Sequence, residues 1–264
     1  MSSLPDCAPP PIPLSPPALD VQTPRPPRTW YFIGTTLFGA CVFGLQQLAQ
    51  IATLIILYIW SGVELPLTEA QFRAMLNDGR GLAWMVIVSC PFLLAALWIP
   101  IRIARQKFSG YLALRWPERS EVMRGVAMLG ALLLLTHLLR LALGQPLPDF
   151  VVETYRSARD SGSLALYIVA LCVAAPVAEE FLVRGFLLQG WSQSSLGPLG
   201  AVVLSSGAWA GVHTQYNWFY MSEIFALGIL FGMLRLRTGS TWLTVFLHAV
   251  NNAVAVVVVA VAIG

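Results

Sequence analysis

The residues best placed to do chemistry are two adjacent acids in Ala178-Glu179-Glu180-Phe181-Leu182-Val183-Arg184, set in an apolar stretch. Two more polar islands follow: His213, four residues after Trp209, and His248, four residues before Asn252. On a helix, residues four apart share a face, so Glu180 can pair with Arg184 along the surface. Glu179 is turned from Glu180 by about 100° at ~3.6 residues per turn. One acid can then be a salt-bridged structural anion while its neighbour points into a cavity as a base. His248 and Asn252 project from one face and can both donate to a developing oxyanion. Trp209 can pack against and orient His213, which can share a water with Glu179. A carboxylate, an imidazole and two donors are the parts of base-assisted hydrolysis.

The elements that must position these groups are built for lipid. Of 264 residues, 57% are hydrophobic and only 11% charged, and the mean hydropathy is +0.70. So few charges cannot cover a soluble domain, so the composition predicts an all-α, polytopic transmembrane bundle. Acids at membrane depth are costly and normally face the bundle interior. A formal charge of +3, dispersed along the chain, gives no footprint for nucleic acid. Lys107 is the only lysine among many arginines, a bias that fits a GC-rich bacterial source. Cys7, Cys41, Cys90 and Cys172 are far apart and form no Cys-x-x-Cys pair, which points to structural thiols.

A spanning helix needs ~20 largely apolar residues. That rule gives about seven spans, near 30–60, 81–104, 122–143, 162–190, 196–214, 221–236 and 241–263. Residues 1–29 hold ten prolines and no apolar signal-peptide core, so they read as a disordered cytoplasmic tail ahead of a membrane domain at 30–264. Arg102, Arg105, Lys107, Arg115, Arg119 and Arg124 crowd one link, and Arg235 and Arg237 another, whereas 61–80 and 144–161 mix acids and bases. Basic loops inside put the N-terminus in and the C-terminus out, in a bacterial cell membrane. With the spans so drawn, Glu179 and His248 fall in the cytoplasmic half, and the cavity is expected to open there. The basic link at 105–121 reads either as an amphipathic stretch along the interface or as an anchored loop. Pro176 frees the carbonyl of Cys172 and predicts a kink or local unwinding beside the acids. Small residues at Gly207/Gly211, Gly228/Gly232 and Ala174/Ala178 predict close helix approach.

Glu-Glu-x-x-x-Arg, then aromatic-x-x-x-His, then His-x-x-x-Asn, in that order on separate spans, resembles the CPBP intramembrane proteases. These comprise the type II CAAX prenyl endopeptidases and their abortive-infection or bacteriocin-processing relatives. The resemblance covers about residues 150–255. It implies a glutamate-dependent endopeptidase acting on a membrane-associated or CAAX-like peptide. Glu179 would be the water-activating base, His213 its partner, and His248 with Asn252 the oxyanion site. Glu180 and Arg184 would hold the first motif together. Trp209 stands where the family usually has phenylalanine, which alters cavity volume.

The family is often labelled metalloprotease, and Glu179, His213 and His248 would be the three ligands of a Zn2+ site with one open position. A metal-free glutamate mechanism uses the same residues and gives Asn252 a role, so no cofactor is the favoured expectation. Buried Glu and His also relay protons in transporters, and a catalytically silent immunity or scaffold protein would keep the same fold. His137 reads as a packing histidine, Glu223 as an interfacial acid, and Asn251 as a helix–helix hydrogen-bonding group. The expected partners are the lipid bilayer and a peptide or protein substrate.

Overall fold

The computed structural model describes residues 29–62 and 68–263. The expected tail, apart from Thr29, lies outside the described residues, with Cys7, Arg25 and Arg28. The chain forms α1 (Tyr31–Trp60), α2 (Glu69–Leu76), α3 (Gly79–Ile103), α4 (Phe108–Tyr111), α5 (Arg119–Ala142) and α6 (Asp149–Asp160). It continues as α7 (Leu164–Ser192), α8 (Gly197–Gly211), α9 (Trp218–Thr238) and α10 (Thr241–Ile263). An isolated bridge between Leu114 and Ser240 is the sole extended pairing among the described residues.

Six of these helices are long and apolar enough to cross a membrane: α1, α3, α5, α7, α9 and α10. They fall within a few residues of the expected spans. The remaining expected span, α8, has 15 residues, or ~22 Å at the usual rise, short of the ~30 Å hydrocarbon core.

Local chemistry sets the boundaries. Asp78 caps α3 by accepting from the Arg80 and Gly81 amides, and Asn217 caps α9 through the Phe219 and Tyr220 amides. Each satisfies orphan donors of a first turn. Gly239 ends α9 in the left-handed conformation at φ 65°, which glycine adopts without steric cost. Large apolar side chains face outward along the spans, among them Ile56, Leu135, Leu138 and Val257, as lipid contact allows.

The two ends of the bundle are distinct. At one end the 104–118 link meets the α9–α10 turn: Arg115 donates to the Thr238 carbonyl and Ser240 to the Arg115 carbonyl at 2.6 Å. The start of α1 lies there too, since Trp30 donates to Pro100 O and Thr29 bonds Gln193. At the opposite end Tyr220 donates to Pro146 O, Gly79 donates to Ser157 Oγ, and Asn77 bonds Glu153. The basic link is an anchored loop rather than an interfacial helix. Tyr111 and Leu112 are fully buried, and Tyr111 stacks on Phe186 at 5.5 Å.

Of the three small-residue pairs, Gly228/Gly232 brings α8 and α9 together. A Cβ on Gly228 would meet Ser206 Cβ at 2.7 Å and its backbone Cα at 3.0 Å, and one on Gly232 would meet Val202 at 2.9 Å. Ala178 is buried in the core around α7. Gly211 has open space where its Cβ would be, so the Gly207/Gly211 pair makes no close contact through it. Gly228→Ala will cost about 1–3 kcal/mol by overpacking, read as a lower thermal midpoint in detergent. Cys41 is exposed, Cys172 half-buried and Cys90 buried, all three free.

Candidate active site

Helix α7 presents both acids, and its backbone departs from α geometry on each side of them. A π-helical turn spans Ala170–Ala174, then an α segment Ala175–Glu180, then a second π turn Phe181–Leu187. The first lies just before Pro176, as a missing amide there requires; such wide turns are frequent at functional sites. Asn252 donates to the Leu171 carbonyl at 2.7 Å, tying α10 to this widened turn. Its Oδ1 accepts from Asn251 Nδ2 at 3.1 Å.

The two acids have separate surroundings. Glu180 and Arg184 are fully buried and paired at 2.9 Å. His248 Nδ1 lies 3.0 Å from the same carboxylate oxygen, Oε1. Glu180 Oε2 and the Arg184 Nε and Nη2 make no further hydrogen bond. The guanidinium instead lies over the Trp209 ring at 4.2 Å and near Phe231 at 5.5 Å, where the ring quadrupoles attract it. Glu179 has no cation within salt-bridge distance among the described residues; its Oε2 accepts from Trp209 Nε1 at 2.6 Å.

Trp209 thereby links the groups. His213 Nδ1 lies 2.7 Å from the Trp209 carbonyl, and a carbonyl only accepts, so Nδ1 carries the proton and Nε2 is left as an acceptor. The Trp209 ring meets the rings of His213 and His248 edge-on, at 5.6 and 5.3 Å. His213 also stacks on Tyr216 at 6.1 Å. Glu179, His213 and His248 thus surround the Trp209 indole, with Asn252 one turn beyond His248.

A cavity of about 470 Å³ adjoins this cluster, lined by Trp209, His213, His248, Asn251 and Asn252 on its inner side. Glu179 stands behind Trp209 rather than on the lining. Near one end α5 touches α10 directly, with Gly125 against Leu247. Further along, the cavity separates the C-terminal half of α5 from α9 and α10. His137, Arg140, Tyr220 and Glu223 also line it, and Glu223 accepts from Thr136 at 2.9 Å. The sequence treated His137 as packing and Glu223 as interfacial, because neither belongs to a spaced motif; only the tertiary fold brings them to the cavity. The lining extends to Leu147, Pro148 and Tyr216, at the end of the bundle opposite the basic links.

The proposed ligands do not assemble as a metal site. Among the described residues no three His, Cys, Asp or Glu side chains stand close enough to hold an ion. Trp209 stands between Glu179 and the imidazoles, and His248 Nδ1 is engaged by Glu180.

Residues 161–254 match the family described as type II CAAX prenyl endopeptidase Rce1-like, within the stretch where the motifs lie. An uncharacterized 24.3 kDa protein of Escherichia coli is 26% identical over 168 residues, 62% of this chain and 72% of that protein. No solved structure matches. The Rce1-like match over residues 161–254 supports membership of the CPBP family, which at family level is one of membrane-embedded CAAX-type proteases.

Proposed function

We propose that the chain is an intramembrane endopeptidase in which Glu179 activates water against a peptide bond. The observation that carries this reading is the contrast between adjacent acids. Glu180 is locked to Arg184 and His248, whereas Glu179 is held only by a neutral indole N–H and keeps Oε1 for a water. Glu179 takes the water proton as the oxygen attacks the scissile carbonyl. His213 Nε2, an acceptor in the tautomer set by Trp209, holds the same water in line. The oxyanion that forms receives the second amide hydrogen of Asn252. It also receives Nε2–H of His248 when that ring carries both protons. Protonated Glu179 then gives its proton to the leaving amine as the carbon–nitrogen bond breaks, so the base is restored. The Trp209 indole turns aside to let Glu179 reach the cavity.

The substrate class that fits is a membrane-associated peptide, the CAAX-like C-terminus being the one the family implies. The test is cleavage of a peptide library by the purified protein in liposomes. Specific cleavage that persists in a metal chelator is expected. A library left intact would overturn the peptidase reading in favour of a proton-coupled transporter or a silent scaffold, and cleavage abolished by chelator and restored by Zn2+ would overturn the metal-free mechanism.

A further inference from the structure

We infer that Asn251 binds the main chain of the substrate: its side-chain oxygen accepts the N–H of the same residue whose carbonyl is cleaved. The peptide then lies in the site as an extended strand, with a secondary amide required at that residue. The inference rests on the peptidase reading and extends it to a side chain outside the three motifs.

The periodicity of α10 places Asn251 for this role. His248, Asn251, Ala255 and Val258 are spaced three, four and three residues apart, which puts them on one helix face, and all four line the cavity. A carboxamide that joined two helices would bond to a neighbouring one. The side-chain hydrogen bond of Asn251 instead stays within α10, from Nδ2 to Asn252 Oδ1 at 3.1 Å, and is its only one among the described residues. The side chain is half-buried.

A chain of hydrogen bonds fixes which amide atom faces which way. The Leu171 carbonyl only accepts, so Asn252 turns Nδ2 to it, at 2.7 Å. Asn252 Oδ1 is thereby left to Asn251, which answers with its own Nδ2. The free branch of the Asn251 amide is therefore Oδ1, an acceptor and not a donor. Asn252 keeps one amide hydrogen for the oxyanion, so a donor and an acceptor stand on neighbouring residues of one wall. Leu133, Leu227, Val254 and Val258 line the same cavity with apolar groups, which offer that acceptor no partner.

This donor and acceptor are complementary to one residue of an extended peptide. In a strand the N–H and C=O of a residue point to the same side, which is how it exchanges both bonds with one partner in an antiparallel ladder. The adjacent residue points its pair to the opposite side. With the scissile carbonyl on the Asn252 amide, the N–H of the same residue falls to Asn251 Oδ1. Proline has no N–H to offer, so a peptide bond that follows proline resists cleavage.

The test compares three forms of one peptide cleaved by the liposome preparation. One is unmodified, one is N-methylated at the residue that supplies the cleaved carbonyl, and one at the residue before it, whose N–H points away. With wild type, kcat/KM is expected to fall about tenfold for the first methyl group, the size of one good hydrogen bond, and less than about twofold for the second. Asn251→Leu is close in volume and has no acceptor. It is expected to lose about tenfold on the unmodified peptide and to cleave the first methylated peptide as fast as wild type does, because both changes remove the same bond. Equal sensitivity of wild type to the two methyl groups would overturn the inference, whether or not the variant folds. An equal loss on all three peptides by Asn251→Leu would also overturn it, since residue 251 would then act only by aiming Asn252. Either result leaves the peptidase reading standing. No cleavage of any peptide would overturn that reading, and this inference with it.

Discussion

Glu179→Gln will lower peptide cleavage by about 10²–10⁴-fold, the span a general base contributes, while the protein inserts and melts as the wild type does. Glutamine keeps an oxygen to accept from the Trp209 indole, so the contact that places the side chain survives. What is lost is the ability to take a proton from water. Glu180 makes the comparison sharp. Its carboxylate meets Arg184 and His248 in full burial, so its loss acts through folding and through the aim of His248. Equal catalytic loss with no loss of stability in Glu180→Gln would transfer the base from residue 179 to residue 180. Cleavage by Glu179→Gln at the wild-type rate would remove residue 179 from the chemistry.

Arg184→Met will cost about 3–5 kcal/mol, because breaking a buried pair leaves an uncompensated charge. The side chains of Arg184 and Glu180 are both fully buried, and methionine takes nothing from the carboxylate. It also removes the cation lying over Trp209 at 4.2 Å, which loosens the indole that holds Glu179. Thermal melting in detergent should show a large drop in midpoint. Adding Glu180→Gln to Arg184→Met should return part of that loss, since a neutral amide no longer needs the cation and its carbonyl still accepts from His248. A single variant within about 0.5 kcal/mol of wild type, as at an ordinary surface position, would show that the pair is not the brace of α7.

The helices were legible because lipid imposes a length and a composition, and both are written in the chain. Spans such as 241–263 and 30–60 needed only a hydropathy run. The ion pair was legible from the spacing of Glu180 and Arg184, and the first π turn from Pro176. The second π turn, Phe181–Leu187, holds Gly185 but no proline, and a lone glycine does not specify a π turn. Side-chain spacing also missed that Asn252 binds the Leu171 carbonyl, because that acceptor exists only after the backbone widens. The 105–121 link carried aromatic and basic residues that suit an interface or a buried anchor equally, and the tertiary contacts of Tyr111 decided it.

The most direct measurement is mass spectrometry of a cleaved peptide from liposomes in H2(18)O, with wild type and Glu179→Gln side by side. One heavy oxygen in the new carboxyl group of the wild-type product, and almost no product from the variant, is the expected result. An intact peptide with the wild type, or identical labelled product from both proteins, would contradict water activation by Glu179.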